Sequence, residues 1–305
     1  MSAKNKLKIK KIDSRIDAII LDNIRICWLV RDKKKILIES GLPSDGPDIV
    51  AGLSQLSLAP EDIDYLALTH IHIDHAGSAG FLAKKNPNIK IFVHEKGIKH
   101  LINPARLTES VKKAYGEKFS TVGEMAGIDS EKIVIPVGTG DKIDMGDSHL
   151  EVFYTPGHAK HHVVYFDPAS SSVFAGDALG SKYKSLPNFV LSPPVDYDKE
   201  LAKQSIDLIE GLNPKRINFT HCGSYLLNEF DNFYEKLKEN HDYWSWCILK
   251  IAKEAAKENN GIDTAKVFNR FIEKVPELKN YPEQFFSFNL SVKGMMIYLK
   301  NSGKI

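Results

Sequence analysis

Cysteine is scarce. The 305 residues hold three, Cys27, Cys222 and Cys247, an odd number scattered along the chain. That excludes a disulfide framework and leads us to expect a reducing, cytoplasmic setting. Long apolar runs are missing too. Those at 18–21 and 26–30 are a handful of residues, far short of the ~18 needed to cross a bilayer, so no membrane attachment is expected. Residues 1–15 are Lys-rich without an apolar stretch, which argues against a secretory signal. There is no excess of charge: 41 Lys and Arg against 39 Asp and Glu leave +2, too little to suggest a nucleic-acid partner. Low-complexity segments and long linkers are also absent. The apolar fraction, 43%, is that of an ordinary globular chain able to bury its own core.

What is present reads as strand-rich in the first two-thirds. Short β-branched or aromatic runs bounded by Gly, Pro, Asp or Asn occur at 16–21, 25–30, 35–39, 65–69 and 90–94. A second set follows at 132–136, 150–155, 163–166, 172–175 and 216–220. Helical spacing lies between them, at 48–56, 77–85 and 198–212, and an amphipathic stretch at 106–125 separates the sets. The similar layout of the two sets suggests two related halves facing each other. From about residue 226 the pattern turns wholly helical, over 229–258, 263–275 and 282–299. The expected organisation is therefore a domain over 1–225 and a helical extension over 226–305.

Eleven histidines are present, and their placement carries the chemistry. Thr69-His70-Ile71-His72-Ile73-Asp74-His75 follows a strand and opens a helix. In an extended segment residues i and i+2 share a side, so His70 and His72 can hold one cation. Asp74 and His75, beyond the turn into the helix, can address a second position. Four such groups gathered without an ion would be costly to desolvate. Three later strand ends add one ligand type each: His158 on Pro156-Gly157, Asp177 after Gly176, and His221 after Thr220. Imidazole and carboxylate without thiolate suit zinc, iron or manganese.

This ordered series, His-x-His-x-Asp-His, Gly-His, Gly-Asp and a final His, resembles the metallo-β-lactamase superfamily in its glyoxalase II-like branch. The resemblance covers about residues 9–224. It implies an α+β fold, an αββα sandwich with metals at one edge between two sheets, here with an all-helical C-terminal appendage. By that resemblance His70, His72 and His158 would hold one divalent ion, and Asp74, His75 and His221 a second, with Asp177 bridging them. Zinc is the expected metal, with iron or manganese as alternatives. A hydroxide bridging the pair would cleave an ester, thioester or lactone of a small molecule, and Asp74 would also orient that nucleophile. Glu39 stands where the superfamily usually carries Asp, and is expected to accept a hydrogen bond from a ligand histidine. His72 argues against the oxygen-reducing flavin branch, and Asp177, where β-lactam hydrolases commonly use Cys, argues against antibiotic cleavage.

Two other classes stay open. One is a mononuclear iron dioxygenase acting on a persulfide, with Fe(II) on His70, His158 and Asp177. The other is a non-enzymatic, metal-stabilised binding protein that uses its helical tail. Tyr183, in the loop after Asp177, is a candidate donor to a developing oxyanion, as lactonase-like relatives suggest; the alternative is a surface aromatic. His161 and His162 are read as solvated at a strand edge, or as facing the cleft. Cys222 is read as inert, and the basic start (Lys4 to Arg15) as a Lys-protected edge strand. His241 is read on a charged face of the tail. The tail itself is read as a lid, a winged-helix-like module or a homodimerisation element. Its aromatics (Phe230, Phe233, Tyr234, Tyr243, Trp244, Trp246) are read mainly as core.

Overall fold

Val, Ile and Leu crowd the first forty residues, and there they form an antiparallel meander. In the computed structural model, which describes residues 7–129, 134–183, 189–258 and 262–305, it comprises β1 (Lys8–Lys11), β2 (Ile16–Leu21), β3 (Arg25–Arg31) and β4 (Lys35–Ile38). Asp22 and Asn23, both at positive φ (52° and 59°), turn β2 into β3, a conformation these two residue types tolerate well. The sheet then continues in parallel. The order is α1 (Gly46–Gln55), β5 (Tyr65–Ala67), α2 (Ile73–Ala76), α3 (Ala79–Lys85), β6 (Lys90–His94), α4 (Ile98–Ile102), α5 (Ala105–Tyr115), α6 (Phe119–Val122) and β7 (Val134–Val137). Strands β1 to β7 lie in sequence order.

The second sheet comprises β8 (Lys142–Asp144), β9 (His149–Tyr154), β10 (Val163–Asp167), β11 (Ser172–Gly176), β12 (Arg216–Phe219) and β13 (Gly223–Leu226), again in sequential order. Its one parallel pairing, β11 with β12, needs a crossover, and the chain supplies α7 (Lys199–Gly211) between them.

The strand faces explain the layers. Trp28, Ile38 and Phe92 of the first sheet share one buried cluster with Val152, Tyr165 and Phe174 of the second. The Trp28 and Phe174 rings lie 6.2 Å apart, and the Tyr165 hydroxyl donates to the Leu68 carbonyl at 2.9 Å. The opposite face of the first sheet (Leu29, Leu37, Leu66) packs with Ile49 and Leu53 of α1 and Leu82 of α3. Burying each large apolar side chain contributes about 1.5–3 kcal/mol. This is the expected α+β sandwich with a helical C-terminal region.

Contacts divide the chain into two units. The first contains residues 1–154, 161–176 and 214–227, and so both sheets. The second contains 155–160, 177–213 and 228–305. In the second, α7 is followed by α8 (Phe233–Glu258), α9 (Thr264–Lys274) and α10 (Phe285–Asn301). Asp198 caps α7, accepting from the backbone N–H of Glu200 and Leu201 at 3.0 Å. The Trp244 ring of α8 meets Phe271 of α9 at 4.7 Å. Of the tail aromatics, Phe233 and Trp244 are core, whereas Tyr243 and Trp246 are exposed. The expected strand 132–136 lies partly outside the described residues, as do the loop after Tyr183 and Lys4 at the basic start; β7 begins at Val134. The short strands β8 and β13 were not expected. Among the described residues no helix is long and apolar enough to cross a membrane.

Candidate metal centre

Strand β5 ends at Ala67, and the chain turns through residues 68–72 into the single turn α2. That turn is tightly tethered. Val163 N–H donates to Thr69 O at 2.8 Å, Leu68 N–H to Phe92 O at 2.9 Å, and Ser40 N–H to His75 O at 2.7 Å. The Ser40 hydroxyl adds a second bond to His75 O at 2.9 Å. The four motif side chains are thereby brought to one place. His70 Nε2 lies 2.9 Å from His72 Nδ1, near the ~3.3 Å expected of two nitrogens on one tetrahedral ion at about 2.0–2.1 Å. Asp74 Oδ2 lies 3.5 Å from His221 Nε2 and 3.9 Å from His75 Nε2. His221 is carried in by β12 and held against β3, where Ile26 N–H donates to Thr220 O (2.8 Å) and Cys222 N–H to Ile24 O (2.9 Å).

Beneath these groups lies Glu39, buried at the end of β4 in a left-handed backbone conformation (φ 72°). Its Oε1 takes the Thr69 hydroxyl at 2.5 Å, the Thr220 hydroxyl at 3.1 Å and the His75 ring at 2.9 Å. Its Oε2 takes the Thr69 N–H at 3.3 Å. A carboxylate is acceptor only, so His75 must donate from Nδ1, which leaves its lone pair on Nε2. The single Thr69 proton also goes to the carboxylate. Thr69 therefore accepts from His70 Nδ1, 3.0 Å away, and the His70 lone pair falls on Nε2 as well. One carboxylate thus fixes two tautomers, both with the unprotonated nitrogen facing the cluster. Glu39 does here what the sequence led us to expect of it.

Two unprotonated ring nitrogens facing the cluster, the buried imidazoles and the carboxylate of Asp74 fit a divalent cation. The candidate ligand atoms of Asp74, His75 and His221 lie within 4.8 Å of one another, as do those of Glu39, His70 and His75. His162, fully buried, brings its ring to 4.9 Å from His70. His161 is half-buried, 5.8 Å from His72. Neither is a solvated edge residue. Gly176 is required beside them: at φ 51° a Cβ would stand 2.5 Å from Thr69 Oγ1 and 2.6 Å from His162 Nε2. Tyr115, at the end of α5, was read from the sequence only as an apolar position of the amphipathic stretch at 106–125. Burial, and then the negative charge of Asp74, hold its phenol well above the usual range.

The second unit holds the other two predicted ligands together. His158 Nε2 lies 3.5 Å from Asp177 Oδ2, and both residues are buried. Gly157 (φ 132°) positions His158: its carbonyl accepts from Asp198 N–H at 2.8 Å, and a Cβ would meet Ala202 N at 2.3 Å. Tyr183 is a buried ring packed against Tyr281 (4.7 Å) and Phe288 (6.0 Å), not a surface aromatic.

The model of the metallo-beta-lactamase superfamily matches residues 24–221. The chain belongs to that superfamily. This metallo-beta-lactamase superfamily chain is 29% identical over 203 residues to the metallo-beta-lactamase fold-containing protein ST1585 of Sulfurisphaera tokodaii, covering 63% of this chain and 70% of that protein. It is 24% identical over 156 residues to a hydroxyacylglutathione hydrolase of Legionella pneumophila, covering 50% of this chain and 47% of the relative, about half its length. Among solved structures, the metallo-beta-lactamase family protein TTHA1429 of Thermus thermophilus superposes with a TM-score of 0.61 at 19% identity, over 92% of this chain and 89% of that one; at that identity the likeness is one of fold.

Proposed function

We propose that this protein is a metal-dependent hydrolase acting on an ester, thioester or lactone of a small molecule. The observation that carries the reading is the Glu39 network, which aims the unprotonated nitrogens of His70 and His75 at the His72, Asp74 and His221 cluster. Superfamily membership supports adding His158 and Asp177 to the same ligand set. Similarity to a protein named hydroxyacylglutathione hydrolase supports the hydrolytic class. Two ions, with zinc fitting the donor set best, would acidify a water and polarise a carbonyl oxygen.

The chain's own residues have distinct tasks. Glu39, through Thr69 and directly, holds His70 and His75 in the ligand tautomer. Ser40 fixes the α2 turn that presents Asp74. Asp74, with its side chain about a third exposed, would help hold an ion and orient the attacking water by accepting a hydrogen bond from it. Purified without chelator, the protein should carry close to two metals per chain and hydrolyse at least one member of an ester, thioester and lactone panel. Asp177→Ala should abolish turnover and lower metal content while leaving the fold intact. Unchanged hydrolysis in that variant would refute the reading.

A further inference from the structure

Helix α8 has two unlike faces. Its inner face is apolar: Leu237, Trp244, Ile248 and Ile251 are buried, and so is His241, which the sequence placed on a charged face. At about 100° per residue, the opposite face is centred on Trp246, which is 57% exposed. The Tyr243 ring, 41% exposed, stands 6.2 Å from it, so the two form a joined aromatic patch rather than scattered surface residues. Charge is divided about that patch. Within roughly 40° of Trp246, the N-terminal side carries Glu235, Glu239 and Asp242, and the C-terminal side carries Lys250, Lys253 and Lys257, all exposed. The acids lie 11, 7 and 4 places before Trp246, and the lysines 4, 7 and 11 places after it. Lys236 and Glu254, of the opposite sense, lie about 80° round, at the rim. Asp242 is held by Lys199 and Lys203 at 2.7 Å, and Lys250 lies over the Trp246 ring, 5.4 Å from its centre. Glu235, Glu239, Lys253 and Lys257 form no ion pair among the described residues.

We propose that this outer face is a homodimerisation surface, on which a second copy of the chain lays its own α8 antiparallel across Trp246. A two-fold interface uses one patch twice, so the patch must complement itself. This one does. With the axis at Trp246, Glu235 comes level with Lys257 of the copy and Glu239 with Lys253, each pair occurring twice, while the Tyr243 and Trp246 rings of both copies cover one another at the crossing. A parallel pairing would set like charge against like, so the charges fix the direction as well as the partner. A single helix pair is a small interface, and the dimer it makes has a dissociation constant on the order of 10 µM. None of these residues belongs to the metal centre, so the inference stands apart from the hydrolase reading.

The test is sedimentation equilibrium of the metal-loaded full chain from about 1 µM to about 500 µM. Monomer should give way to dimer within that range, and salt at about 0.5 M should weaken the dimer several-fold. Trp28 and Trp244 are buried, so a blue shift of the tryptophan emission with concentration reports Trp246 leaving water. Trp246→Ala should weaken the dimer about tenfold or more. The pair Glu235→Lys and Glu239→Lys should leave the chain monomeric, as should the pair Lys253→Glu and Lys257→Glu. Mixed together, these two double variants should dimerise again, because one face is then wholly basic and the other wholly acidic. All the substituted side chains are exposed, and circular dichroism checks that each variant is folded. A wild type that stays monomeric throughout overturns the proposal, as does a dimer indifferent to Trp246→Ala and to both charge reversals, or a mixture that fails to pair. A monomeric wild type whose emission shifts on vesicles of anionic lipid also overturns it and gives the face to a membrane surface.

Discussion

Glu39 Oε1 lies 2.9 Å from His75 Nδ1, and the same oxygen takes the Thr69 hydroxyl that in turn receives His70 Nδ1. The carboxylate thus anchors two candidate ligands, His75 directly and His70 through Thr69, and four donors reach it in all. Glu39→Gln turns one of its two oxygens into a donor facing donors. A buried clash of that kind costs on the order of 2–3 kcal/mol, and loss of an outer partner weakens metal binding about 10–100-fold. Urea unfolding and metal titration of the variant measure the two effects separately. Glu39→Asp should fall between wild type and Glu39→Gln: aspartate tolerates the left-handed backbone at φ 72° better, but it is one methylene short of His75.

Metal removal should destabilise the chain. A ligand that binds only the folded state contributes about 2.7 kcal/mol at a hundred times its dissociation constant. Zinc added to chelated protein should therefore raise the melting temperature, and binding should release protons as imidazoles give up any they hold. Asp74→Asn should reduce the gain. A stoichiometry near one iron, with oxygen consumed in the presence of a persulfide, would instead select the dioxygenase alternative.

The motif at residues 70–75 was legible because the ligand types crowd one strand end, where geometry leaves few other uses for them. Glu39 was legible from its position after β4. The relay through Thr69 was not, because it depends on the positive φ at Glu39, which no residue type announces. The reading of His241 failed for a similar reason. Its neighbours Lys238, Glu239 and Asp242 make the segment look solvated, and only the packing of α8 in the helical unit, with Tyr197 against the ring, buries it. Tyr183 followed the same course: loop position suggested exposure, whereas Tyr281 and Phe288, about a hundred residues later, enclose it. The sandwich was readable from its two strand sets, but β8 and β13, three and four residues long, are held by their neighbours rather than by their own composition.

Glycine at 157 is a demand of the backbone. Its φ is 132°, and an added Cβ would stand 2.3 Å from Ala202 N. Gly157→Ala combines an unfavourable conformation with a clash against a main-chain atom, for about 3 kcal/mol or more. Because the turn carries His158, metal content should fall with stability. Gly138→Ala is the control: its Cβ would meet nothing within 4 Å, and its stability should change by no more than about 0.5 kcal/mol. Equal losses in the two variants would sink the argument.

At the end of α8, Glu258 accepts from Arg270 Nη2 at 2.7 and 3.0 Å and from Lys266 Nζ at 2.6 Å, both on α9. Those hydrogen bonds, first from Arg270 and then from Lys266, lower its carboxyl pKa to about 2. A folded-state pKa below the unfolded value means that the unfolded chain binds the extra proton first. The contribution is therefore complete above about pH 4.5 and is lost as the pH falls towards 2. Glu258→Gln should be less stable than wild type at pH 7, and the difference should close over that window. Because the carboxylate is exposed, added salt should shrink the difference at pH 7. Urea midpoints at pH 7 and pH 2, with and without salt, measure it, and a gap that widens in acid would show that the pairing with Arg270 and Lys266 is not its source.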